Sequence, residues 1–71
     1  LSGESTTPEA SLIDPAAYDS YLQARYYWNR RDADDLERAV SLFTRAVELA
    51  PDFARAYAGL ADTYAVIGYW Q

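Results

Sequence analysis

LERAVSLFTRAVELAPDFARAYAGLADTYAVIG, residues 36–68, decides the fold. Leu36, Ala39, Val40, Phe43, Ala46, Val47 and Ala50 recur at steps of three and four, the spacing of a single apolar face on an α-helix. Pro51 ends that helix near Leu49, because the residue before a proline is pushed out of the α region. A second apolar stripe follows at once, through Phe53, Tyr57, Leu60, Ala61 and Tyr64, and runs to about Ile67, with Gly68 suited to a C-terminal cap. Two helices over 34–49 and 53–67, joined by a proline-marked turn, are therefore predicted.

Upstream, Asp14-Pro15 is a helix start: Asp can accept a bond from an orphan N–H, and Pro occupies the first helical position without losing one. The helix predicted over 15–31 carries Tyr18, Tyr21, Leu22, Ala24, Tyr26, Tyr27 and Trp28 on more than one face, as suits a helix packed on two sides. NRRDADD, residues 29–35, interrupts the pattern and offers Asp32 or Asp34 as the next N-cap, with Asp34 and Glu37 at capping-box spacing. Residues 1–13 begin with small polar residues and read as a linker or disordered terminus, leaving 14–71 as the helical domain.

Ala39-x3-Phe43-x2-Ala46-x4-Pro51 followed by Tyr57-x2-Leu60-Ala61-x2-Tyr64-x3-Gly68 resembles the tetratricopeptide repeat, whose signature is W-x2-L-G-x2-Y, A-x3-F and P over about 34 residues. Tyr57 stands for the Trp, and Ala61 for the small residue where two helices touch. Placing Ala24 and Tyr27 opposite Ala61 and Tyr64 extends the register to the first helix, if the Asp-rich turn is about three residues longer than usual. The resemblance implies an all-α fold: a helix-turn-helix hairpin plus a third helix, about one and a half repeats of an α-solenoid. The wording from Ala17 and from Ala56 is similar to repeats appended to bacterial signalling proteins, in which a kinase, cyclase or winged-helix domain precedes them. The chain starts at Leu1 rather than Met, so it reads as a piece of such a protein, and no residue of those upstream domains lies in it.

Composition narrows the function classes. Eleven acidic residues against six basic ones give a net charge of −5, which repels the phosphate backbone that supplies most nucleic-acid affinity. Arg30-Arg31 beside Tyr26, Tyr27 and Trp28 is the only arrangement suited to stacking on nucleic acid, and pairing with the following aspartates is the favoured reading. There is no Cys or His, so thiolate and imidazole ligands and the commonest general base are missing; no cofactor, metal or enzymatic activity is expected. Asp32, Asp34 and Asp35 lack the Gly and closing Glu of a calcium loop and read as dipole complements at a helix start. No stretch suits a membrane span or signal peptide, and a cytoplasmic location is expected.

A partner protein or peptide is the expected ligand. Ala24, Ala39, Ala46 and Ala61 read as small residues at helix contacts, with Phe43 and Tyr64 filling the space between pairs. In the repeat family the ligand-facing surface comes mostly from the first helix of each pair, which points to Arg55, Ala58, Gly59, Asp62 and Val66 on the third helix and to Arg25, Trp28 and Asn29 on the first. A solvated face is the competing and preferred reading for Arg55 and Asp62, and a half-buried core position for Trp28. The carboxylate clamp of chaperone-binding relatives is absent, since the chain has no Lys and places Gly59 near the clamp's Asn. Small Ala58 and Gly59 would let an apolar helix or extended segment approach closely. Val66, Ile67, Tyr69 and Trp70 would ordinarily be covered by a following helix, so Ile67, Tyr69 and Trp70 are predicted to mediate self-association, as a two-fold homodimer.

Overall fold

The computed structural model describes residues 13–70, with only the backbone of Tyr69 and Trp70. It contains three packed helices, α1 (Pro15–Arg30), α2 (Ala33–Leu49) and α3 (Ala54–Trp70), and no strands among the described residues. None is long and apolar enough to cross a membrane.

Each boundary has a local cause. Asp14 Oδ1 accepts the Ala16 N–H at 2.7 Å and Pro15 takes the first helical position, as the sequence indicates. α1 stops at Arg31, whose left-handed backbone (φ 66°, ψ 12°) turns the chain while its N–H reaches the Tyr27 carbonyl. The N-cap of α2 is Asp32, in extended conformation and without a side-chain cap bond. The helix thus starts at Ala33, one residue before the predicted Asp34. The nearby charge is used instead by Asp35, which accepts from Arg30 Nε at 2.9 Å across the turn. At the far end the Ala50 N–H closes on Ala46 and Pro51 starts the turn into α3. α3 does not stop at Ile67. Gly68 keeps a negative φ rather than the left-handed one of a C-terminal cap, and the helix runs on to Trp70.

α1 and α2 lie close because their contact is built from alanines: Ala17, Ala24, Ala39 and Ala46 are all fully buried. Ser20, also buried, donates its hydroxyl to the Leu42 carbonyl of α2 at 2.8 Å. Tyr21, Phe43 and Phe53 bring one ring from each helix region into a cluster, with centroids 4.9 Å apart for Tyr21–Phe53 and 5.9 Å for Tyr21–Phe43. Such tilted ring pairs add to the stabilisation from burial alone.

α3 packs mainly on α2. It buries Phe53, Ala56 and Thr63, with Leu60 partly covered, and Thr63 satisfies its hydroxyl on the Gly59 carbonyl at 2.7 Å. The predicted stripe therefore splits. Tyr57, Ala61 and Tyr64 lie exposed on the other side, and neither Ala61 nor Tyr64 fills a helix contact within this chain. Helix geometry explains the split: 53, 56, 60, 63 and 67 form one stripe at steps of three and four, and 57, 61 and 64 form its neighbour.

Candidate functional site

α1 meets the start of α3 at Phe53, on which the Tyr18 ring stacks and against which the Tyr21 ring lies tilted. Beside this contact lies a concavity of about 250 Å³ lined by Tyr21, Arg25 and Trp28 of α1, Arg55, Ala58, Gly59 and Asp62 of α3, and Phe43 of α2. The position of each group follows from helix periodicity. Tyr21, Arg25 and Trp28 are spaced by four and three residues, as are Arg55, Ala58 or Gly59, and Asp62, so each set faces the same side of its helix.

Six of the eight residues predicted to face a ligand line this groove: Arg25, Trp28, Arg55, Ala58, Gly59 and Asp62. Asn29 is exposed outside it, and Val66, one turn beyond Asp62, is half-buried outside it. Of the residues assigned to self-association, Ile67 is half-buried on the stripe that continues Phe53, Ala56 and Thr63, while the side chains of Tyr69 and Trp70 lie outside the described residues. Tyr21 and Phe43 line the groove without having been singled out for it. Tyr21 carries a signal, since it lies one turn before Arg25 on the same face; Phe43 carries none, because a buried aromatic of α2 reads as core.

Gly59 has a requirement of its own within the chain. A Cβ built there would lie 2.5 Å from the Phe43 ring, so the missing side chain admits a ring of α2. Ala58 beside it is exposed.

One polar group of the groove, Arg25, is held by an aromatic ring. Arg25 reaches the Tyr21 hydroxyl at 3.4 Å with its guanidinium 5.9 Å from the ring centre. Trp28 is half-buried and has Arg31 stacked 4.3 Å from its ring centre, so one face is already occupied. Just outside, Arg30 contacts Asp35 and the Tyr26 hydroxyl at 3.2 Å, and these partners, Asp35 first, raise its pKa above the ordinary guanidinium value. The Arg30-Arg31 pair is therefore engaged with Asp35, Tyr26 and Trp28. Among the described residues no three Asp or Glu side chains converge as a metal site would require. What the groove offers is an aromatic floor with two arginines and one aspartate at its edges, suited to holding a side chain or short segment by apolar contact and charge.

Compared with protein-family models, curated proteins and solved structures, the chain matches none.

Proposed function

We propose that this chain is a protein-interaction module of the tetratricopeptide type, which takes a segment of a partner protein into the groove between α1 and α3. The observation that carries the reading is the convergence of Arg25, Trp28, Arg55, Ala58 and Asp62 on one concavity floored by Tyr21 and Phe43. Those residues are far apart in the chain, and it is the α2 bridge that brings them together. Aromatic and Arg side chains are the types enriched where partner proteins bind. The resemblance to appended repeats supports a parent that is a bacterial signalling or regulatory protein of the cytoplasm, with the groove as a docking site rather than a catalytic one.

A displayed library of short segments, selected on the intact chain, tests this. Segments enriched on the protein should lose binding when Arg25, Trp28 or Asp62 is changed to Ala and keep it with Arg45→Ala, an exposed residue of α2 outside the groove. Enrichment that is indifferent to all three groove changes would rule the groove out as the binding surface.

A further inference from the structure

Taking the groove as the partner surface, on which this rests, we infer that the segment it holds carries one basic and one acidic residue, the basic one meeting Asp62 of α3 and the acidic one meeting Arg25 of α1. Arg25 and Asp62 line the same concavity from its two walls, yet they do not pair with one another. Arg25 is held back on its own helix, where its guanidinium donates to the Tyr21 hydroxyl at 3.4 Å and lies 5.9 Å from the ring centre. The Asp62 carboxylate has neither a hydrogen bond nor an ion pair among the described residues. Both residues are exposed, so in the free chain solvent satisfies their charges.

A segment seated in the groove displaces that solvent, and a charge that loses water without gaining a counter-charge is costly. An uncharged segment leaves both groups unpaired. An acidic segment pairs with Arg25 but sets like charges together at Asp62, and a basic one does the reverse. A segment bearing both signs satisfies the two walls at once and excludes the other kinds. Arg55, the third charged group of the concavity, has an interaction of its own, so the demand for new partners falls on Arg25 and Asp62. The net charge of −5 adds a long-range preference, because it repels segments with an excess of acidic residues. An apolar residue of the segment meets the half-buried Trp28 and the exposed Ala58. The occupant is thus a stretch of a partner protein that combines a basic, an acidic and an apolar residue.

Four displayed libraries of short segments test this on the 71-residue chain: one without charged residues, one with acidic residues only, one with basic residues only and one with both. The enriched segments should come from the library with both. Asp62→Lys should weaken them about tenfold or more, and exchanging the segment's basic residue for Glu should restore binding to that variant. Arg25→Glu should weaken them likewise, with rescue on exchanging the segment's acidic residue for Lys. Both positions are exposed, and far-UV circular dichroism checks that each variant keeps its helices. Segments lacking a basic or an acidic residue that bind as tightly, and lose binding with Trp28→Ala, overturn the inference and leave the groove reading standing. So do mixed segments that need Trp28 but respond to neither charge reversal. Enrichment from none of the libraries, or enrichment indifferent to all three substitutions, removes the groove reading, and the inference falls with it.

Discussion

The Phe43 ring occupies the space in which a side chain at Gly59 would stand, with Cε1 and Cζ each 2.5 Å from the Cβ that any other residue would place there. This pairing locks α3 onto α2 and sets the depth of the groove floor. Two effects oppose each other on Gly59→Ala: helix propensity gains about 1 kcal/mol, while overpacking costs about 1–3 kcal/mol. Phe43 is almost fully buried and its ring already packs on Tyr21, and the 2.5 Å approach is too close for a Cβ, so the clash wins. Thermal melts should show Gly59→Ala destabilised, and Phe43→Leu should be less harmful in that background than in the wild type.

Phe43→Ala removes the ring that contacts all three helix regions. A loss of about 3–5 kcal/mol is expected for emptying such a site. That is comparable to the whole stability of a small domain. The far-UV circular dichroism of the variant should fall well below that of the parent at 25 °C; a cooperative melt like the parent's would contradict the packing described.

Arg31 caps α1 in the left-handed region, which costs a non-glycine residue about 1–2 kcal/mol, while its stacking on Trp28 returns about 0.5–1 kcal/mol. Arg31→Ala loses the stacking and keeps the strain; Arg31→Gly loses the stacking and removes the strain. The glycine variant should therefore be more stable than the alanine variant by about 1 kcal/mol in urea denaturation.

Stability should be flat between about pH 6 and 9, since the chain has no histidine. The Arg30–Asp35 pair does not change this. Arg30 has its pKa raised in the folded state, so its contribution is fully present below the ordinary guanidinium value and is lost only as pH rises through the still higher folded value. Melting temperatures across that range, measured at constant ionic strength, check the expectation; a sloping profile would point to a titrating group outside the packing described.

The helix starts at Asp14-Pro15 and the break at Pro51 were legible because each rests on chemistry within a few residues. Six of the residues to which the repeat resemblance pointed, Arg25, Trp28, Arg55, Ala58, Gly59 and Asp62, line the concavity. The buried side of α3 was not legible. With only Arg55 and Asp62 charged among its residues, α3 has no polar stripe to mark the outside, so Tyr57, Ala61 and Tyr64 read as internal while the buried Ala56 and Thr63 did not. Large tyrosines outweighed small residues in that reading, whereas close packing on α2 selected the small ones. The role of Gly59 was hidden for a related reason: its neighbour Phe43 lies on another helix, and only the tertiary contact shows which group the missing side chain admits.

We propose that the groove between α1 and α3 is the partner surface. It is tested most directly by titrating the isotope-labelled chain with a segment selected on it and mapping the amide shifts. Shifts should concentrate at Arg25, Trp28, Arg55, Ala58 and Asp62 and disappear with Asp62→Ala. Shifts confined to other surfaces, or retained in full by that variant, would contradict it.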